Sequence, residues 1–115
     1  MGEDVMFIGH ADTSISVWTV DHKMKTAEKA KVLRAHSDKI TVLRSVPEYG
    51  ILLSGCAAGR VVLWDISNYK LIRLLTVMPE SIQDLRACWI TGDIFVATEK
   101  RIAVFTINGI ALGML

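Results

Sequence analysis

The sequence contains few cysteines, and this excludes one large class of small proteins. Its 115 residues include two cysteines, Cys56 and Cys88. They are too few and too far apart in the chain for a disulfide framework or a CxxC metal site, so we expect buried thiols in a reducing compartment. A secreted domain held together by disulfides is therefore excluded.

Neither sign of charge predominates in the sequence. Thirteen Lys and Arg residues against 12 Asp and Glu residues give a net charge of +1. The chain therefore has no general electrostatic attraction for nucleic acid, and we expect no nucleic-acid partner. Charged residues make up 22% and hydrophobic residues 51% of the chain. This composition indicates a globular domain and not a disordered segment.

The sequence also lacks a long hydrophobic run. Its longest uncharged stretch, residues 102–115, is too short to cross a bilayer. The acidic start, residues 1–4, is followed by neither the basic region nor the apolar region of a secretory signal. The sequence therefore predicts a cytoplasmic protein without direct membrane insertion.

What the sequence does contain is an internal repeat. Residues 9–18 and 55–64 align without a gap at a spacing of 46 residues. Each window is typical of a strand end, a turn of small residues and an alternating strand that ends in Trp18 or Trp64. A third, weaker unit places Phe105 at the position of these tryptophans. Because short strands separated by Gly, Pro or Asn dominate the chain, we predict an all-β repeat protein.

Helix signals are weak throughout the chain. The one candidate, residues 24–35, is rich in Lys, Ala and Glu. We interpret it instead as a long, charged connection that leads into a strand near residues 31–34. Its lysines are expected to be solvated, and the alternative is contact with an acidic partner or an anionic membrane surface.

The most specific pattern lies in residues 33–75. It contains three dipeptides at characteristic spacing, Ala35-His36, Ser54-Gly55 and Trp64-Asp65. This segment resembles a WD repeat (WD40), which forms the four-stranded blade of a β-propeller. A blade is covered on both faces by its neighbours, in agreement with near-continuous apolar runs such as residues 51–53 and 61–64.

The resemblance implies an all-β fold, a β-propeller fragment of about two and a half WD40-type blades. Residues 1–22 are expected to be the end of one blade, residues 31–75 a complete blade, and residues 76–115 a degenerate last blade. A closed ring needs at least four blades, about seven being usual, so the remaining blades are expected in a longer chain or in other chains.

The resemblance also implies a structural hydrogen-bond relay inside each blade. In WD repeats it joins a His, a Ser or Thr, an Asp and the Trp. By position these are His36, Ser54, the site of Ala58, and Trp64. Because Ala58 cannot accept a hydrogen bond, we expect the relay to be incomplete.

The other two repeats match the relay less well. In the first repeat, Asp12 and Trp18 hold relay positions, but Ile8 replaces the Ser. The third repeat has neither the His nor the Asp. Trp89 is expected in the core.

A narrower resemblance concerns the end of the chain. Residues 91–94 (TGDI) and 105–109 (FTING) are similar to the last blades of propellers that follow a BEACH domain. The resemblance implies a non-catalytic interaction scaffold in vesicle or lysosome trafficking, peripheral on intracellular membranes. The alternative is a substrate receptor or adaptor in a ubiquitin-ligase or chromatin complex.

Propellers bind other proteins through the loops at the ends of the ring. The loops between blades and those between second and third strands are expected to carry the partner-binding residues, which are Asp12, Thr13, Ser37, Asp38, Lys39 and Arg60. His10, His22 and His36 match no zinc spacing, and Cys56 has no base in its sequence context. We therefore predict no catalytic residue, no metal and no cofactor.

Overall fold

A computed structural model gives three antiparallel sheets, each a meander in chain order. The first sheet contains β1 (Glu3–Gly9), β2 (Ser14–Asp21) and β3 (Thr26–Arg34). The middle sheet contains β4 (Ile40–Val46), β5 (Ile51–Cys56), β6 (Arg60–Asp65) and β7 (Lys70–Val77). The last sheet contains β8 (Ile82–Ala87), β9 (Ile94–Thr98), β10 (Ile102–Phe105) and β11 (Ala111–Met114). The structure describes residues 3–88 and 90–115, so Trp89 lies outside it.

The middle sheet is buried on both faces, as a blade between two neighbours must be. One face packs on the last sheet through Leu53, Val61 and Leu63. The opposite face packs on the first sheet through Leu52, Val62 and Trp64. Because side chains alternate across a strand, an uninterrupted apolar run supplies both cores at once. The all-β propeller-fragment prediction is confirmed.

The three sheets repeat the same register. The aromatic residues of β2, β6 and β10 each stand opposite the equivalent position of the strand before, in the pairs Met6–Trp18, Leu52–Trp64 and Ile94–Phe105. Equivalent positions are therefore 46 residues apart between the first two sheets, for Trp18 and Trp64. From β5 to β9 the spacing is 42 residues, because Cys56 pairs with Ile40 as Thr98 pairs with Ile82.

Two equivalent glycines allow neighbouring sheets to approach closely. A Cβ on Gly9 would lie 2.5 Å from Ile40 Cγ2, and a Cβ on Gly55 would lie 2.6 Å from Ile82 Cγ2. The strands β4 and β8 are also joined by a side chain, because the Thr41 hydroxyl donates to the Ile82 carbonyl at 2.6 Å. The sheets therefore meet along one edge, as blades do near the axis of a propeller.

Strand β3 begins earlier than the sequence predicts. Residues 24–35 are interpreted from the sequence as a charged connection leading into a strand near residues 31–34, whereas residues 26–34 are strand β3 throughout and pair with β2. The first sheet therefore extends to residue 34, and the middle sheet spans residues 40–77. The last sheet has four strands, so the described residues form three sheets of three, four and four strands.

Each outer sheet leaves one apolar face uncovered. Met6 is 51% exposed on the first sheet, whereas its equivalent Leu52 is 1% exposed. Phe95 is 37% exposed on the last sheet, whereas its equivalent Leu53 is fully buried. The open face of the first sheet is equivalent to the face of the middle sheet that packs on the first sheet. The open face of the last sheet is equivalent to the face of the middle sheet that packs on the last sheet. In the described part of the chain, no helix is long and apolar enough to cross a membrane.

Candidate interaction surface

Three loops meet at one end of the first two sheets. They are the β1–β2 turn (residues 10–13), the β3–β4 loop (residues 35–39) and the β5–β6 turn (residues 57–59). The Ile40 N–H donates to the His10 carbonyl at 3.3 Å, and the Ala57 N–H donates to the Lys39 carbonyl at 3.0 Å. The end of the β3–β4 loop and the first residue of β4 are therefore bonded to the turns on either side. We call these loops together with Arg60 the loop-end surface.

The structure brings the predicted partner-binding residues together on the loop-end surface. Four of them are exposed, Asp12, Ser37, Asp38 and Lys39, and two are half-buried, Thr13 and Arg60. The surface therefore presents two carboxylates and two cationic side chains on a backbone fixed by hydrogen bonds.

The acidic residues of this surface stabilise its loops. Asp12 Oδ1 accepts from the Ser14 hydroxyl at 2.6 Å and from the Ser14 N–H at 3.0 Å. These bonds lower the pKa of Asp12, the side-chain bond having the larger effect, so the carboxylate stays ionised. Asp38 Oδ1 accepts from the N–H of Lys39 at 2.8 Å.

Beneath the surface, the relay residues of the middle sheet are in contact. The Trp64 Nε1–H donates to Ser54 Oγ at 2.8 Å, and Ser54 Oγ lies 2.6 Å from His36 Nε2. His36, Ser54 and Trp64 are all buried. His36 thereby joins the β3–β4 loop to β5, and Trp64 joins β6 to the same serine.

These contacts fix the tautomer of His36. The indole of Trp64 can only donate, so the Ser54 hydroxyl accepts from it and directs its own proton to His36 Nε2. The ring proton of neutral His36 is therefore on Nδ1. Burial, and then the charge of Arg60, lower the pKa of His36 to about 4, so the ring is neutral near pH 7.

The first sheet has a similar relay that the sequence did not reveal. His10 Nε2 lies 2.7 Å from Ser16 Oγ, and the Trp18 Nε1–H donates to the same oxygen at 2.9 Å. Ser16 pairs directly with Ile8, just as Val62 pairs with Ser54 in the middle sheet. The relay serine of the first sheet therefore lies on β2, whereas that of the middle sheet lies on β5, which is equivalent to β1.

Asp12 and Trp18 were both predicted as relay residues, and they have different surroundings. Trp18 donates to Ser16, while the Asp12 carboxylate accepts from the hydroxyl and the N–H of Ser14. The Nζ of Lys29 lies 5.5 Å from the centre of the Trp18 ring, within the range of a cation–π contact. A serine two residues before Trp18 was the only sequence signal for this arrangement.

The last sheet replaces the relay with apolar contacts. Met78, Val96 and Phe105 stand at the positions of His36, Ser54 and Trp64 and are all buried in one core. The β7–β8 loop (residues 78–81) is held instead by Glu80, which accepts two hydrogen bonds from Arg101 and one from the Thr98 hydroxyl. The hydrogen-bonded relays therefore occur where the loop-end surface is formed.

A catalytic centre commonly contains a metal-ligand group or a pair of a nucleophile with a base. Among residues 3–88 and 90–115, no group of three or more His, Cys, Asp or Glu side chains could hold a metal ion. A shallow depression lies at the opposite end of the first sheet, lined by Thr19, Asp21, Thr26, Ala27 and Glu28. These side chains include no nucleophile paired with a histidine base.

Comparison with known proteins agrees with this architecture. No protein-family model matches the chain. The chain is 30% identical over 114 residues to the protein SPIRRIG of Arabidopsis thaliana, covering 96% of this chain and 3% of that protein. It is 27% identical over 114 residues to BEACH domain-containing protein A2 of Arabidopsis thaliana, again covering 96% of this chain and 3% of the relative.

The fold is shared with a solved propeller structure. The structure of U3-55K superimposes with a TM-score of 0.85 at 16% identity, over 96% of this chain and 35% of that one. The chain thus matches about a third of that structure and a few per cent of the curated relatives' length.

Proposed function

Since the chain is part of a WD-repeat β-propeller whose relatives include BEACH-domain proteins, we propose that it is a non-catalytic scaffold that binds other proteins. The binding surface is the loop-end surface. The observation that carries this proposal is that three loops are bonded to one another above one buried and one half-buried relay, and that these loops together with Arg60 present six polar side chains. A rigid surface loses little conformational entropy when a partner binds.

The relationship to BEACH-domain proteins supports a place in membrane trafficking. In this proposal the protein is cytoplasmic and lies peripherally on intracellular membranes, held there by its protein partners. Recovery of ubiquitin-ligase or chromatin subunits as its direct partners, in place of trafficking proteins, would instead favour the adaptor function.

The open apolar faces support a second kind of contact, with further propeller blades. Met6 and Phe95 are exposed at positions whose equivalents are buried between sheets. Because burying apolar area stabilises the folded state, these faces favour a neighbouring blade, in a longer chain or in another chain. In the proposed ring, the loop-end surface continues onto those blades.

Charge reversal on the loop-end surface should abolish partner binding without unfolding the protein. The variant carries Lys39→Glu and Arg60→Glu, and Lys39→Glu alone is tested as well because Lys39 is fully on the surface. Reversed charges repel the complementary groups of a partner, so affinity capture of bound proteins should be lost for the double variant and weakened for the single one.

The matched control is Lys23→Glu with Lys25→Glu, at the opposite end of the first sheet. It makes the same change in net charge on exposed side chains and should leave capture unchanged. Thermal unfolding of each variant verifies its fold. Unchanged capture by both loop-end variants would contradict the assignment of this surface.

A further inference from the structure

An arginine joins β4 to β8, the two strands at the edge where the middle and last sheets meet. We call these strands the inner strands. The Arg44 Nε–H donates to the Leu85 carbonyl at 3.1 Å, and Arg44 Nη2 donates to Asp84 Oδ1 at 3.1 Å. One guanidinium therefore binds a backbone carbonyl and a carboxylate of the neighbouring inner strand, a charge-assisted contact with fixed geometry.

The last sheet carries an equivalent arginine on its open side. Arg44 pairs with Leu53 and Arg86 pairs with Phe95, and these partners are equivalent residues of β5 and β9. The side chain of Arg86 is 68% exposed, against 42% for Arg44. Its Nε donates to Asp84 Oδ2 at 3.1 Å within the same strand, and its terminal nitrogens carry further donors. Arg86 is therefore placed to reach a neighbouring strand as Arg44 does.

A second donor position is repeated on the same edge. Thr41 and Gln83 each follow the isoleucine that begins the inner strand, and both lie where the pairing register shifts. The Thr41 hydroxyl donates to the Ile82 carbonyl at 2.6 Å. Gln83 is exposed, and its amide can donate in the same way. Two positions of β8 thus match the two that join β4 to its neighbour.

The charges on the inner strands are unequal at this edge. Arg44 and Arg86 both bind the carboxylate of Asp84, so two cations share one anion. Another carboxylate beside Arg86 would balance the second cation.

We propose that the exposed edge of β8 binds the inner strand of a further blade, and that this strand carries an Asp or Glu at the position equivalent to Asp84. The terminal nitrogens of Arg86 donate to that carboxylate and to the carbonyl of the following residue, which repeats the contacts of Arg44. Gln83 donates to a second carbonyl of the same strand. The inference rests on the proposed contact with a further blade and specifies what that blade presents.

The residues of this chain argue against a second copy as the neighbour. Val42 holds the position of Asp84 in β4, so β4 offers no carboxylate there. The carboxylate of β8 is already bonded to Arg44 of its own chain. Over the part of the first sheet that the structure describes, the strands are equivalent to β5, β6 and β7, and none is an inner strand. The neighbour is therefore a different blade with an acidic inner strand.

Arginine labelling with phenylglyoxal, followed by peptide mass spectrometry, tests the contact on the wild-type protein. Arg86 should react readily in the 115-residue chain. In the native assembly purified from its source cells it should react about tenfold or more slowly, because hydrogen bonds to a charged acceptor are the stronger ones. Arg34, which is exposed at the end of β3, is the reference in each sample. Equal rates for Arg86 in the chain and in the assembly would overturn the proposal.

Carbodiimide coupling tests for the carboxylate itself. The variant carries Arg86→Lys with Asp84→Asn, which removes the one carboxylate of β8 from reach of the introduced amine. In the native assembly this amine should form an amide bond with an Asp or Glu outside the 115-residue chain. Arg44→Lys is the matched control and should couple to Asp84. Coupling in the control without coupling in the variant, or coupling of the variant to a second copy of the chain, would show that the proposal is wrong.

Thiol accessibility at position 95 separates this inference from the proposed function. If Phe95→Cys, prepared with Cys88→Ser, is protected in the assembly while Arg86 reacts as in the isolated chain, a blade covers the last sheet without these contacts. This inference alone is then wrong. If both positions react freely, the proposed contact with a further blade is wrong as well. Protection of both positions supports both.

Discussion

Gly59→Ala should lower the free energy of unfolding by about 3 kcal/mol or more, because two penalties act at one position. Gly59 has φ +86°, in the left-handed region that disfavours a side chain. A Cβ there would also lie 2.0 Å from the Met78 carbonyl oxygen, and backbone atoms cannot rotate away. The Met78 N–H donates to the Gly59 carbonyl at 2.7 Å, so the turn cannot move without losing that bond.

Gly50→Ala separates the two penalties. Gly50 has φ +65°, and nothing lies within 4 Å of the Cβ that would be added. Its replacement should therefore cost only the left-handed conformation, about 1 to 2 kcal/mol. Urea unfolding of both variants gives the comparison. Equal losses would contradict the close approach of the β5–β6 turn to Met78.

Leu53→Ala should lower the free energy of unfolding by about 2 to 5 kcal/mol, the usual range for a fully buried leucine. Leu53 is fully buried between the middle and last sheets. In the same 115-residue chain, Phe95→Ala should cost less, about 1 to 2 kcal/mol, because the ring is already 37% exposed and its removal leaves no enclosed cavity. Phe95 is the larger side chain, so size alone predicts the opposite order.

The difference between these two variants depends on the neighbouring blade. In the native assembly, where a further blade covers the last sheet in our proposal, Phe95→Ala should become as costly as Leu53→Ala. Chemical unfolding followed by Trp fluorescence measures both variants. A large loss for Phe95→Ala in the 115-residue chain would mean that its face is already packed.

Much of the fold could be predicted from the sequence, because the repeat sets the register. The spacing between Trp18 and Trp64 fixes equivalent strands, and the continuous apolar run 61–64 indicates a sheet covered on both faces. The glycines between second and third strands marked the turn at Gly59. These are local signals that depend on backbone geometry, and pattern alone can reveal them.

Other features could not be predicted, because they depend on pairing across strands. The composition of residues 24–35 favours a helix or a charged connection, with a strand only near residues 31–34, yet pairing with β2 makes all of residues 26–34 a strand. The relay of His10 and Ser16 became visible only once β1 and β2 were in register.

Thiol accessibility in the native assembly tests most directly whether these sheets are consecutive blades of a larger ring. A Phe95→Cys variant is prepared with Cys88→Ser, which leaves the buried Cys56 as an internal standard, and Lys23→Cys serves as the exposed reference. The account predicts that Phe95→Cys reacts with a maleimide as slowly as Cys56 in the assembly, and readily in the 115-residue chain. Reaction in the assembly at the rate of Lys23→Cys would contradict it.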